Sequence, residues 1–151
     1  MKLEVRNLRR FTGAVQQVDR WSTSEDEEYA RSMGYTTLYD ALLHSCRNAE
    51  RVYGVFDEED YCVALVGVEP ALIDGLVWAH TSMLIRNQPK VLLPALSDVV
   101  AKLDEDYPGF PLFAIYRSDD ESIRKMTEYA GFTKDKANTD LNGIKHTYAW
   151  R

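Results

Sequence analysis

His80 and the basic loop after it are the residues whose types could do chemistry. His80 lies in the β-rich segment Val77-Trp78-Ala79-His80-Thr81-Ser82, and imidazole is the side chain that titrates nearest neutral pH. It is the first candidate for moving a proton, although a lone strand histidine more often packs than reacts. Asp74, the second candidate, stands before Gly75 and reads more simply as a turn. The loop Arg86-Asn87-Gln88-Pro89-Lys90-Val91 sets two cations among polar residues ahead of a helix. Glu58 and Glu59 belong to a hairpin tip and are expected to be solvated. His44, His80 and His146 lack the spacing of metal ligands, so no metal is expected. No Gly-x-Ser-x-Gly or Cys–His arrangement suggests a hydrolase.

The elements that must position these residues are signalled unevenly. Leu3 to Arg6 suits a short strand, and Asn7 is expected to cap a helix with Leu8, Phe11, Ala14, Val15 and Val18 on its apolar face. Ser24 with Glu27 has the spacing of a capping box for a second helix ending near Gly34. Thr37 opens a third helix, with Leu38, Ala41, Leu42 and Cys46 on one side. Arg51 to Phe56 and Tyr61 to Val68 are strands joined by the turn Asp57-Glu58-Glu59-Asp60, and Gly75 to Ile85 is a third β-rich segment. Leu92, Ala95, Leu96, Val99, Val100 and Leu103 recur at helical spacing, although Pro94 suggests that the regular helix begins only there. Pro111 to Tyr116 is an apolar strand. Ser118 with Glu121 then has capping-box spacing for a helix that stops at Gly131, the expected left-handed residue. Thr133 to Thr139 and Ile144 to Trp150 form a last hairpin around Asn142-Gly143.

Composition narrows the class. A chain of 151 residues with 45% hydrophobic and 28% charged residues fits one globular domain over 1–151. A net charge of −6, with a basic cluster only at Arg6, Arg9 and Arg10, argues against nucleic acid as a partner. Cys46 and Cys62 stand in apolar surroundings and form no CxxC, which suits reduced core residues of a cytoplasmic protein. The first residues lack the apolar centre of a signal peptide, and no apolar segment is long enough to cross a bilayer, so no membrane association is expected. Trp21, Trp78, Trp150 and nine tyrosines chiefly suit packing; a flat aromatic patch for a homodimer or another partner is the sharper reading.

The order strand, helices, three antiparallel strands, helix, strand, helix, two strands resembles the GCN5-related N-acetyltransferase (GNAT) superfamily over nearly the whole chain. The likeness is greatest to divergent acetyltransferase-like proteins of short-tailed phages, whose Trp-bearing central strand also leads into a basic, polar loop. It implies an α+β fold, an α/β/α sandwich with a mixed, mostly antiparallel sheet of about seven strands and four or five helices. It also implies an acetyl-CoA-dependent N-acyltransferase acting on an amine of a small molecule or protein. Such enzymes hold the cofactor's pyrophosphate on backbone amides of a Gln/Arg-x-x-Gly-x-Gly/Ala loop at a helix start. The resemblance places Leu84, Ile85, Arg86, Gln88, Lys90 and Val91 at that cofactor site. Arg86 matches the first position, whereas Pro89 replaces the first glycine and Val91 the small residue. Arg86 and Lys90 would then grip phosphate through side-chain charge. His80 takes the place of the base. The family's Leu-Tyr-Glu-Lys-x-Gly-Phe falls on Met126-Thr127-Glu128-Tyr129-Ala130-Gly131-Phe132, so Thr127 occupies the tyrosine position. Tyr116 and the displaced Tyr129 remain as candidate acids for the leaving thiolate. The missing glycines and shifted tyrosine motivate an alternative: a non-catalytic GNAT-fold phage protein that binds a host or virion protein, in the host cytoplasm or the particle.

Overall fold

Short β-branched segments become strands here, and segments with apolar residues three and four apart become helices. In the computed structural model, which describes residues 2–151, the chain runs β1 (Glu4–Asn7), α1 (Thr12–Arg20), α2 (Ser24–Ser32), α3 (Leu38–Asn48), β2 (Arg51–Phe56), β3 (Cys62–Pro70), β4 (Gly75–Thr81), α4 (Met83–Arg86), α5 (Pro89–Asp106), β5 (Leu112–Arg117), α6 (Glu121–Tyr129), β6 (Thr133–Leu141) and β7 (Ile144–Trp150). The strands form one seven-stranded sheet in the order β1-β2-β3-β4-β5-β7-β6. Neighbours are antiparallel except β4 and β5, which are parallel. The expected mixed sheet is present, with six helices instead of four or five because α4 adds a single turn.

Alternation along the strands gives the sheet two buried faces. Val52, Phe56 and Leu65 pack with Val15, Val18, Leu42 and Cys46 of α1 and α3. Tyr53, Val66, Val68 and Val77 pack on the other face with Ala95, Val99 and Leu103 of α5. Cys46 and Cys62 are buried and unbridged, and burial pushes both thiols up to about 12, which makes them poor nucleophiles at neutral pH.

Several helix starts differ from expectation, each for a local reason. Asn7 caps nothing: it closes β1 opposite Tyr53, and α1 starts at Thr12 without a side-chain cap. On α2 the capping box lies one residue earlier than Ser24–Glu27; Thr23 Oγ1 accepts from Asp26 N at 3.1 Å while Asp26 accepts from Thr23 N at 3.0 Å. Glu27 is thereby free to accept from Leu38 N at 3.1 Å. The β-rich segment from Gly75 ends at Thr81, where Ser82 turns the chain into α4 instead of continuing to Ile85. Helix α5 begins at Pro89, not Pro94, because a proline in the first turn lacks only an N–H that had no helical partner. Pro94 is carried inside the helix. Asp120, not Ser118, caps α6 by accepting from Ile123 N at 3.1 Å. Ser118 Oγ pairs instead with Thr147 Oγ1 at 2.6 Å.

The irregularity that matters most is the junction of β4 and β5. Only Gly75↔Leu112 and Leu76↔Phe113 pair before the strands part. Beyond them β4 remains bound to β3, and β5 to β7, so their facing edges carry backbone groups without ladder partners.

Candidate active site

Where β4 and β5 part, a cleft of about 400 Å³ passes through the sheet. On the α1–α3 side it is lined by Tyr29, Tyr35, Leu38, Trp78, His80 and His146, and on the α5–α6 side by Leu96, Val99, Ile123, Thr127 and Phe132, with Tyr116 beside them. The lining is mainly apolar, and its few polar groups come from separate elements.

His80 is half-buried at the end of β4, with Nε2 3.4 Å from Ser22 Oγ. The Ser22 hydroxyl donates to Val18 O at 3.1 Å, so it meets His80 as an acceptor. Burial drives the His80 imidazole down to about 4; Asp26 opposes that shift and Arg86 reinforces it. The ring is therefore neutral at pH 7 and a weak base. Tyr116 lines the cleft at 5% exposure, and its hydroxyl is held above the ordinary phenol range by burial, with Glu128 adding to the effect. Thr127 also lines the cleft while its Oγ1 donates to Ile123 O at 2.7 Å. Tyr129, two residues on, is 53% exposed and meets Ser97 Oγ at 3.3 Å, outside the cleft lining. Asp74 sits in the β3–β4 turn, its backbone carbonyl accepting from Ala71 N at 2.7 Å, and the Glu58 carboxylate accepts from Lys2 N at 2.9 Å; neither residue lines the cleft.

The loop expected to hold phosphates is folded back on itself. Arg86 is engaged by Asp26 at 3.1 Å and by the Thr81 carbonyl, so its guanidinium ties α4 to α2. Burial alone would raise the Asp26 carboxyl, but the Thr23 amide, His80 and Arg86 together hold it below the usual carboxylate range. Ile85 is fully buried, and Leu84 and Val91 pack against the α5-side core. The Gln88 side chain donates to Leu84 O at 2.6 Å, and Lys90 is exposed. The amides of Ser82, Met83, Leu84, Ile85 and Arg86, and those of Gln88, Val91 and Leu92, already donate within the protein. Pro89 has none, which leaves Asn87 and Lys90 as the two amides of this stretch without an acceptor. None of the six expected cofactor residues lines the cleft itself.

Sequence reasoning missed the pair best placed on the α2 side. Tyr29 Oη lies 2.6 Å from His146 Nε2, and His146 Nδ1 lies 2.8 Å from Ile144 O. The two residues are 117 positions apart, so no local spacing could join them. The one available signal was a histidine at an inward position of an otherwise ordinary strand, which demands a buried partner. Of the aromatic residues, Trp78 lines the cleft and Trp21 is exposed. Trp150 is also exposed and packs on Phe113 with ring centroids 5.0 Å apart.

No protein-family model matches the chain, and no curated protein matches it in sequence. Solved structures do match it in shape. A ribosomal-protein-S5-alanine acetyltransferase from Vibrio fischeri superposes with a TM-score of 0.71 at 13% identity, covering 100% of this chain and 93% of its own. A GNAT-family acetyltransferase from Bacillus anthracis gives 0.73 at 11% identity, with 100% and 95% coverage. An acetyltransferase from Salmonella typhimurium that modifies the N-terminal serine of 50S ribosomal subunit protein L7/L12 gives 0.67 at 14%, with 100% and 95% coverage. At these identities the likeness is one of fold: the chain has the GNAT fold along its whole length.

Proposed function

We propose that the protein is an acetyl-CoA-dependent N-acetyltransferase that acylates an amine bound on the α1–α3 side of the cleft. The observation that carries this reading is the open passage at the β4–β5 junction, with Tyr116 and His80 along it. The free backbone edges of β4 and β5 suit the amides of a pantetheine arm, and the apolar walls suit its methylene groups. When bound, the thioester supplies an activated acyl carbon. The chain's own residues do the rest: the strand edges orient the arm, Leu96, Val99 and Phe132 exclude water, and the Tyr116 hydroxyl can give a proton to the leaving sulfur. His80, neutral at pH 7, serves better as a hydrogen-bonding guide for the amine than as its base. Tyr129 would reach the cleft only if α6 rotated. The amine remains open between small molecules and proteins, since the acceptors named for the superposed enzymes belong to those enzymes.

The phosphate end fits less well. Two free amides and the exposed Lys90 replace the usual ring of donors, and Arg86 is held by Asp26. That arrangement favours a second reading, a GNAT-fold protein that has lost its cofactor and binds a host or virion protein, in line with the short-tailed-phage likeness. Calorimetric and thermal-shift titration with acetyl-CoA separates the two. A Kd of ~10 µM at hundredfold excess ligand stabilises by about 2.7 kcal/mol. No shift at millimolar ligand leaves the binding-protein reading in possession.

A further inference from the structure

We propose that Tyr29 and His146 form the proton-accepting pair of the cleft, taking the proton that the acceptor amine must lose; this rests on the acetyltransferase reading above. The geometry assigns the protons. Ile144 O can only accept, so His146 Nδ1 carries the hydrogen in their 2.8 Å bond. In the neutral ring Nε2 is then a lone pair, and Tyr29 Oη donates to it at 2.6 Å. Both residues line the cleft, but His146 is 1% exposed whereas Tyr29 is half-buried, so Tyr29 is the more accessible member of the pair. The Tyr29 and His146 rings stack at 5.9 Å, which fixes their mutual position.

An alkylamine is an ammonium ion at pH 7, and its nitrogen cannot attack until it loses a proton. In the step proposed, that proton moves to Tyr29 Oη as the tyrosine's own proton moves to His146 Nε2. The nitrogen lone pair forms the N–C bond, the C–S bond breaks, and the sulfur takes its proton from the Tyr116 hydroxyl; the second proton, which the nitrogen sheds on becoming an amide, restores Tyr116. His146 ends as an imidazolium whose Nδ1–H still points at Ile144 O; its extra proton returns to solvent through Tyr29. Burial holds the Tyr29 hydroxyl above its ordinary value, so it remains protonated and acts as a relay, never as a standing phenolate. The charged groups near the pair are the Arg117 guanidinium, 4.9 Å from the centre of the Tyr29 ring, and Asp120, which pairs with Arg117 at 3.6 Å. Asp119 lies 4.0 Å from Arg117 on its other side. One guanidinium thus stands against two carboxylates beside the relay, Asp119 being largely exposed.

The test uses the whole chain, with acetyl-CoA as donor and 2-phenylethylamine as the acceptor probe, chosen for the apolar walls formed by Tyr35 and Trp78. Tyr29→Phe is expected to lower kcat/KM for the amine by about 100-fold and to leave the acetyl-CoA thermal shift unchanged. The deficit should shrink above about pH 10, where the amine deprotonates unaided. A merely structural role would give a pH-independent loss. Nitrogen-detected NMR of the unliganded protein should show His146 protonated at Nδ1, with the Nε2 signal moving in Tyr29→Phe. Transfer within threefold of wild type in Tyr29→Phe, or a His146 protonated at Nε2, overturns the pair and leaves the acetyltransferase reading standing. A wild type that neither binds acetyl-CoA nor acetylates the probe overturns both.

Discussion

At the scale of single residues, His80 has a consequence that does not depend on any ligand. Its imidazole is held near 4 in the folded protein, against about 6.5 in an unfolded chain. Between those values the unfolded state binds the extra proton and the folded state does not, so stability rises with pH. The contribution is complete above about pH 6.5, falls as the pH drops towards 4, and changes no further below that. Replacing His80 by Gln removes this term. Comparing urea midpoints at about pH 7 and pH 4.5, wild type should lose more stability than His80→Gln, by on the order of 2 kcal/mol. Equal losses would mean that the ring is solvated in the folded state. His80 and Tyr116 were legible as candidates because each sits at a strand end, where a residue's type already suggests a role. Tyr29 and His146 were not, since a hydrogen bond between residues 117 positions apart exists only once α2 is laid across β7.

Among the elements, β3 and β4 are fitted to each other through one pair. Gly67 stands opposite Trp78, and a Cβ at Gly67 would come within 2.3 Å of the indole ring. Gly67 is therefore glycine because the ring lies across the neighbouring strand, not because its backbone is unusual. Gly67→Ala should push the indole towards the cleft it lines, destabilise the fold by about 1–3 kcal/mol, and change the tryptophan fluorescence. An unshifted melting temperature would show that the ring has room to retreat. The succession of elements along the chain was readable from period and turn chemistry, the single turn α4 excepted: Asn142 and Gly143 carry the positive φ values, 51° and 80°, that their sequence announced. Helix starts were less readable, because Thr23 and Ser24, or Ser118 and Asp120, offer equivalent caps one or two residues apart. Sheet pairing and side-chain partners decided between them. The prolines were the instructive case: Pro94 suggested a late helix start yet is carried inside α5, whereas Pro89, read as a missing glycine, is the first-turn residue that begins it.

For the whole molecule, the proposed acetyl-CoA path would have two ends built to different standards, and that difference can be measured. The cleft offers an apolar passage with free strand edges, features suited to the pantetheine arm that the proposal requires. The helix start that should hold the pyrophosphate offers two amides and the Lys90 charge, on a chain whose net charge of −6 repels an anion at long range. Most of the binding free energy should then reside in the acyl-pantetheine portion. Acetyl-pantetheine, which lacks the nucleotide, is expected to bind within about tenfold of acetyl-CoA, equivalent to about 1.4 kcal/mol. The small advantage of acetyl-CoA should shrink as salt rises from about 0.05 to 0.5 M, because what remains is exposed charge attraction. Competition between the two ligands in a calorimeter supplies both numbers. A preference for acetyl-CoA of a thousandfold or more, insensitive to salt, would mean that α4 unfolds on binding and releases the amides of Leu84, Ile85 and Arg86 to the phosphates. In that event the Asp26–Arg86 pair would be the latch that binding opens.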